Sequence, residues 1–223
     1  PRIASMELTE NTPSTLTTRA NTLSTGVYFR LIVFRKSGNN YVFQSAADYT
    51  SNGASSPVLK KGKLLTRSGT IWVIGYSFNT TAALGDIPAS YTYNTTKIDI
   101  PNMNNDFMTY DSGDIANVNS LNYNLPVTFK QKLCKLTISI SVTGFTSNTI
   151  SGCTGVYVKQ GGNSTSWVIG SSAVAANTSN TASFNPNTNQ TTTIHMVPFA
   201  SSRTITVHFN KLTVGNLIAN NAD

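Results

Sequence analysis

The side chains that act as acids and bases in catalysis are scarce in this sequence. It has two histidines, His195 and His208, and nine acidic residues among 223. Both histidines stand in short strand-like runs, which is typical of ordinary surface or edge residues, and the nucleophile-elbow pattern GxSxG is absent. Asp106, Asp111 and Asp114 lie among turn formers, so we interpret them as a plain loop rather than a carboxylate pair or a calcium site. The sequence therefore predicts a protein that is not an enzyme.

Cofactor and metal motifs are also absent. The sequence contains no GxGxxG and no phosphate-binding loop, so nothing in it indicates nucleotide binding. The two cysteines, Cys134 and Cys153, form neither a CxxC pair nor a cluster with histidine, which argues against zinc. A disulfide between them is arithmetically allowed, but two separate thiols, with Cys134 buried, fit their surroundings better. We therefore predict no metal and no cofactor.

Aromatic side chains offer the remaining chemistry, because the faces of their rings can stack on sugar rings. Most of the aromatic residues are explained by core packing or by pairs across a hairpin. Trp72 lies within a strongly apolar run and is predicted to be core, whereas Trp167 follows a turn of glycine and serine. Trp167 is therefore the candidate ligand platform, and a surface carbohydrate-binding module is the alternative function.

The composition is that of an uncharged polar surface. Hydrophobic residues make up 39% of the chain and charged residues only 11%, a pattern common in extracellular β proteins. No segment approaches the ~20 apolar residues that span a bilayer. The net charge is +7, and the densest basic run, "LKKGKLLTR" at 59–67, is not interleaved with aromatic residues. We interpret that run as a solvated loop and expect no nucleic-acid partner.

Strand signals run through the chain, and helical periodicity is sustained nowhere. The runs "VYFRLIVF" (27–34) and "NNYVFQSA" (39–46) flank turn formers, which predicts a hairpin. The run "TIWVIGYSF" (70–78) is apolar on both faces and predicts a central strand buried between layers. Residues 79–124 are poorly patterned and rich in turn formers, as expected for the long connection of a Greek key.

The longest strand signal, "VTFKQKLCKLTISISV" (127–142), changes phase within its length. Its apolar residues stand at odd positions up to Leu133 and at even positions from Leu136 onward. A strand cannot keep one buried face through such a change without an extra residue. The pattern therefore predicts either a β-bulge near Leu133 to Lys135 or a strand that leaves one core there and enters another.

The composition changes after Val142. The segment "TGFTSNTISGCTG" is rich in turn formers, and short strand signals follow it to the end of the chain. We place a domain boundary near Thr143, which predicts two all-β sandwiches in tandem, at residues 1–142 and 143–223. The second is small enough that its core would be marginal alone.

Five segments in this order resemble the fimbrillin-like proteins of Bacteroidetes, the major and minor fimbrial subunits and their anchors. They are "TTRAN" (17–21), "GVYFRLIVF" (26–34), "GTIWVIGYSFN" (69–79), "DFMTYDSGDI" (106–115) and "LPVTFKQKLCKLTISISV" (125–142). The last is the most specific, because that family commonly closes its first domain with F-K/H-x-L-small-K-apolar. The residues that correspond to this signature are Phe129, Lys130, Leu133, Cys134, Lys135 and Leu136, with one additional residue before Leu133. The resemblance covers about the first 145 residues.

The resemblance implies a fold, a location and a mechanism. Family members fold as two transthyretin-like Greek-key sandwiches and are exported as lipoproteins, so the precursor would reach the outer membrane surface through a lipid anchor. In polymerising members an arginine-specific protease cuts after the first strand, and a strand from the next subunit fills the opened groove. The partners implied are other fimbrial subunits, in a homo- or heteropolymer, and a host protein or glycan.

The same resemblance suggests a role for a lone cation near the start of the chain. Arg19 stands in a run of small polar residues, between a first strand around Met6 to Leu8 and a second strand at Val27. The bond between Arg19 and Ala20 is the predicted processing site. The alternative is that Arg19 is an ordinary solvated residue of a loop. The end of the sequence, "GNLIANNAD", lacks the apolar strand expected of a donor. Either the sequence stops before that strand, or the protein is a terminal, accessory or anchor-like member, and both alternatives stay open.

Overall fold

In the computed structural model the chain is built from antiparallel β-strands. The structure describes residues 5–10, 23–53, 55–100, 106–118, 125–141, 150–159, 165–176, 182–184, 191–197, 206–214 and 217–222. These ranges contain no helix, and so none of the length and apolar character needed to cross a bilayer. The prediction of an all-β protein is confirmed.

The largest element is a six-stranded sheet. Its strands, in spatial order, are β4 (Ser55–Gly62), β3 (Asn40–Asn52), β2 (Tyr28–Ser37), β5 (Gly69–Ser77), β7 (Met108–Val118) and β8 (Lys130–Gln131). The predicted hairpin is β2 and β3, joined by a two-residue turn in which Gly38 has a φ of 62°. That left-handed conformation suits glycine, so the turn residues of the sequence are placed where the geometry requires them.

The two central strands of this sheet are buried on both faces. Along β2, Leu31 and Val33 pack into one hydrophobic cluster, while Ile32 and Phe34 pack into another on the opposite face. β5 lies between β2 and β7 and divides its apolar residues in the same way. Near-continuous apolar runs are expected of strands covered on both faces, which confirms the prediction for residues 70–78.

Three smaller sheets complete the described fold. The first consists of β1 (Ser5–Glu10), β9 (Cys134–Ser141) and β14 (Thr191–Met196). The second consists of β13 (Ala182–Phe184), β10 (Ile150–Lys159), β15 (Thr206–Val214) and β16 (Leu217–Ala222). The third consists of β12 (Val174–Ala176), β11 (Thr165–Val168) and β6 (Lys97–Ile100).

The phase change in the longest strand signal is a change of sheet. β8 ends at Gln131 and pairs with β7, and β9 begins at Cys134 and pairs with β1 and β14. Phe129 lies in one hydrophobic cluster and Leu133 in the other. The predicted bulge is therefore wrong, and the alternative, a chain that leaves one core for another, is right.

The poorly patterned region contains two strands, β6 and β7. The turn formers of β7 lie at an irregularity in its pairing with β5, where Trp72 is opposite Asp114 and Ile74 is opposite Asp111. Gly113 has a φ of 62° there, and the Ser112 hydroxyl accepts a 2.8 Å hydrogen bond from a backbone N–H of β5. Turn-forming residues thus mark a bulge inside a strand and not a loop.

Of the four sheets in the described ranges, two combine strands from both sides of residue 143. β9 pairs with β14, and β6 pairs with β11. The six-stranded sheet lies entirely before that position, and the sheet that contains β10 lies entirely after it. The division into domains 1–142 and 143–223 stays a prediction.

Candidate functional site

The first strand lies at the edge of its sheet. β1 runs antiparallel to β9 over six residue pairs, in which Met6 lies opposite Ile140 and Leu8 lies opposite Ile138. On its other side β9 pairs with β14. Loss of β1 would therefore leave one backbone edge of β9 unpaired along that length, which is the geometry that accepts an added strand. The role of Met6 and Leu8 in a removable strand stays a prediction.

The predicted processing site is near β1 in the sequence. Arg19 and Ala20 fall outside the described residues, within the segment 11–22. After this segment the chain is attached to the six-stranded sheet, because the Gly26 N–H donates a 2.8 Å hydrogen bond to the Ser51 carbonyl of β3. The strands before and after the segment 11–22, β1 and β2, therefore belong to different sheets. The attachment of the chain at Gly26 does not depend on β1.

Trp167, the candidate ligand platform, lies in the core. Its exposed fraction is 2%, and its ring centroid is 5.9 Å from that of Phe107 and 6.4 Å from that of Tyr76. Its indole N–H donates a 2.9 Å hydrogen bond to the Ser171 carbonyl. Both the ring and its polar group are used internally, so a sugar could stack on Trp167 only if this part of the structure opened.

Three other aromatic rings form a half-buried cluster on the six-stranded sheet, which we call the aromatic cluster: Tyr41, Trp72 and Tyr93. Their ring centroids are 4.8, 4.7 and 5.2 Å apart. The Tyr41 hydroxyl donates to Asp114 at 2.7 Å, and the Trp72 indole N–H donates to Asp111 at 2.6 Å. Trp72, predicted to be core, is thus only half-buried, and the cluster places aromatic surface beside exposed carboxylates.

A lysine of the same sheet face completes this arrangement. The Lys36 ammonium lies 2.5 Å from the Asp114 carboxylate and 5.7 Å from the centre of the Tyr41 ring. The hydrogen bond from Lys36 lowers the pKa of Asp114, and the same bond raises the pKa of Lys36. Both side chains are exposed, so solvent screens the pair and its contribution to stability is small.

The three aspartates grouped in the sequence are separated in the structure. Asp111 and Asp114 are exposed on β7, whereas Asp106 is 5% exposed and its carboxylate oxygens have no hydrogen-bond partner among the described residues. Burial is the largest influence on Asp106 and raises its pKa to about 6, while the nearby Gln131 side chain and Phe107 N–H act in the opposite direction. Within the described ranges no group of three or more His, Cys, Asp or Glu side chains could hold a metal ion.

The two histidines lie on strands of different sheets. His195 is opposite Lys135 on the neighbouring strand, and His208 is opposite Tyr157. His208 is 8% exposed and so belongs to the interior, not to the surface position that the sequence predicts.

A buried arginine on β2 is a polar feature that we did not predict from the sequence. Arg30 is 2% exposed, and its guanidinium donates to both carboxylate oxygens of Asp48 at 2.5 and 2.8 Å. It also donates to the Tyr91 hydroxyl at 2.9 Å and to the carbonyls of Asp86 and Gly85 at 3.0 and 3.1 Å. All five N–H groups are used, so none is left for a ligand. We call this arrangement the arginine anchor.

The arginine anchor is an electrostatic support of the fold. Burial is the largest single influence and works against the charged form of Arg30, but the hydrogen bonds to Asp48 and the interactions with Tyr76 and Tyr91 together outweigh it and raise the pKa of Arg30. The bonds to the backbone of residues 85 and 86 tie the loop after β5 to the centre of the sheet. A single arginine within the apolar run "YFRLIVF" was the sequence signal for it.

Comparison with known proteins identifies no family for this chain. It matches no family model and no curated protein sequence. Among solved structures it is similar to the crystal structure of a candidate cell adhesion protein from Parabacteroides distasonis, with 12% identity and a TM-score of 0.45. That similarity covers 96% of this chain and 74% of the other.

Proposed function

We propose that this chain is a cell-surface fimbrial subunit, or an accessory or anchor protein of a fimbria, that acts in adhesion and assembles by protease-triggered strand exchange. In this proposal it belongs to the fimbrillin-like proteins of Bacteroidetes, folds as two tandem Greek-key, transthyretin-like sandwiches, and is held at the outer membrane surface through a lipid anchor on its precursor. Its partners are other fimbrial subunits and a host protein or glycan. It has no enzymatic activity and binds no nucleic acid.

The observation that supports strand exchange best is the position of β1. It is an edge strand joined by backbone pairing to β9, and the chain after residues 11–22 is anchored in another sheet. A cut at Arg19 would therefore release a strand without breaking the pairing of β2. The exposed edge of β9 could then accept a strand of matching length from a second subunit, since backbone hydrogen bonds supply affinity in such complexes.

Limited digestion of the folded protein with an arginine-specific protease tests this proposal. We expect a rapid cut after Arg19, seen by mass spectrometry, followed by oligomers or fibres in size-exclusion chromatography and electron microscopy. A synthetic peptide of residues 5–10 should slow the assembly, because it would occupy the edge of β9 that the donor strand needs. The Arg19→Gln variant should stay whole and monomeric under the same conditions.

Two outcomes would count against the proposal. If Arg19 resists the protease while other arginines are cut, it is an ordinary structural residue. If the cut protein stays monomeric and is indifferent to the peptide of residues 5–10, the released strand is not replaced from another subunit.

A carbohydrate-binding module without polymerisation is the second candidate. The aromatic cluster favours it more than Trp167 does, because its rings are only half-buried and stand beside exposed carboxylates. On a glycan array, Trp72→Ala should then abolish binding. If Trp72→Ala leaves glycan binding intact, the aromatic cluster is a packing feature.

A further inference from the structure

An open groove of about 520 Å³ lies beside the β2–β3 hairpin, separate from the β1–β9 edge. Its lining residues are Arg35, Ser37, Val42, Phe43, Gln44 and Arg67. Arg35 and Ser37 alternate along β2 with Lys36, which contacts the aromatic cluster. Since alternate residues of a strand point to opposite faces, the side chains of Arg35 and Ser37 point away from the face that carries the aromatic cluster.

The charge of this groove is uncompensated. Two of its lining residues are arginines and none is acidic. In the described part of the chain, neither the Arg35 nor the Arg67 guanidinium is within ion-pair distance of a carboxylate, whereas the exposed Lys36 and Lys61 each have an aspartate partner. Two guanidinium groups that line one groove without a counter-charge favour an anionic ligand, because their planar N–H groups match carboxylate and sulfate oxygens.

The remaining lining residues indicate what carries the anion. The Gln44 side-chain amide donates to the carbonyls of Val42 and Phe43 at 3.2 and 3.0 Å, which leaves its own oxygen to accept a hydroxyl. The Ser37 hydroxyl is exposed, and Val42 is 50% exposed, which is high for an apolar side chain. Cationic donors, a hydroxyl acceptor and a small apolar surface together suit a sugar ring with an acidic substituent.

We propose that this groove binds an anionic sugar, in which a carboxylate or sulfate group is held by Arg35 and Arg67 and the ring lies against Val42. The proposal needs no strand exchange and does not depend on the cleavage of Arg19. It also accounts for a local excess of positive charge in a chain whose net charge is +7.

Titration of the whole protein with defined probes tests the groove. The probes are oligogalacturonate, which carries carboxylates, dextran sulfate, which carries sulfates, and neutral dextran. Calorimetry should detect binding of one or both acidic sugars and none of neutral dextran, and the tighter of the two identifies the anion. A polyglutamate peptide should bind more weakly than the preferred sugar, because it lacks the ring and its hydroxyls.

Charge removal inside and outside the groove supplies the matched control. Arg67→Gln should raise the Kd for the preferred acidic sugar by about tenfold or more, since a charge-assisted bidentate contact is lost. Lys63→Gln removes the same charge from an exposed residue of the same loop that does not line the groove, and it should change the Kd by less than about twofold. Arg67 is exposed, so Arg67→Gln tests the groove even if Arg35→Gln disturbs the hairpin.

Four results would overturn the proposal: no binding of either acidic sugar, binding of neutral dextran with equal affinity, binding of polyglutamate with equal affinity, or equal losses from Arg67→Gln and Lys63→Gln. The last result would mean that diffuse charge, not the groove, attracts anions. Equal affinity for polyglutamate would remove the sugar as the ligand class.

Discussion

Replacing Asp48 with asparagine tests the arginine anchor. The substitution keeps the side-chain volume but removes the negative charge that faces Arg30 at 2.5 and 2.8 Å. It also places an amide N–H where a carboxylate oxygen of Asp48 accepted a hydrogen bond, so this donor faces the donor N–H of Arg30. Breaking a buried ion pair costs about 3–5 kcal/mol, because an uncompensated charge remains inside.

For Asp48→Asn we expect a loss of stability in the lower part of this range of about 3–5 kcal/mol. Arg30 keeps the Tyr91 hydroxyl and the carbonyls of residues 85 and 86 as acceptors. We therefore expect Asp48→Asn to reduce the free energy of unfolding by about 3 kcal/mol, which corresponds to a fall in Tm of roughly 6–12 °C for a chain of this size. Urea denaturation followed by tryptophan fluorescence measures the first quantity, and thermal denaturation measures the second.

Asp86→Asn is the matched control. The Asp86 carboxylate is exposed and paired with Lys61, while its backbone carbonyl, which accepts from Arg30, is unchanged by the substitution. We expect no measurable change in its urea midpoint. If Asp48→Asn behaves like Asp86→Asn, the reasoning about the anchor is refuted. The double variant Arg30→Met, Asp48→Leu should recover part of the loss, since it leaves no unpaired charge.

Three further substitutions test burial. Asp106 has a pKa of about 6 when folded against an ordinary 3.8, so its burial destabilises the protein increasingly as pH rises through that window. Asp106→Asn should raise the free energy of unfolding by up to ~3 kcal/mol at neutral pH and change it little below about pH 4, and equal effects at both pH values would contradict this. Gly170→Ala should lower it by about 1–3 kcal/mol, because φ is +89° and a Cβ would lie 2.5 Å from the Tyr93 ring. Trp167→Ala should lower it by about 3–5 kcal/mol in urea denaturation, and an unchanged midpoint would contradict its burial.

Where the apolar residues follow the regular pattern of a strand, the sequence was sufficient to predict the structure. The β2–β3 hairpin follows from two apolar runs around Gly38, and the burial of β5 on both faces follows from an apolar run without alternation. The phase change after Leu133 was visible as well, but a bulge and a change of sheet leave the same trace in one strand. Only the partners of β8 and β9 distinguish them.

Prediction from the sequence failed where tertiary contacts decide the conformation or the burial of a residue. The Asp, Ser and Gly of β7 have turn-forming preferences, yet a register shift against β5 accommodates them within a strand. Arg30 is buried because five acceptors from distant segments meet around it, and local sequence does not report that. Trp167 follows small residues that suggest exposure, but the aromatic rings that cover it come from residues 76 and 107.

The pairing of β1 with β9 has a consequence for the order in which the chain folds during synthesis. A chain emerges from its amino end, so β1 is made long before β9, which begins more than one hundred residues later, at Cys134. The β2–β3 hairpin needs only neighbouring residues and can form in the interval, whereas β1 must wait through the slow closure of a long loop. β1 therefore cannot pair with β9 until all six strands of the six-stranded sheet have been made, because β8, the last of them in the sequence, ends at Gln131.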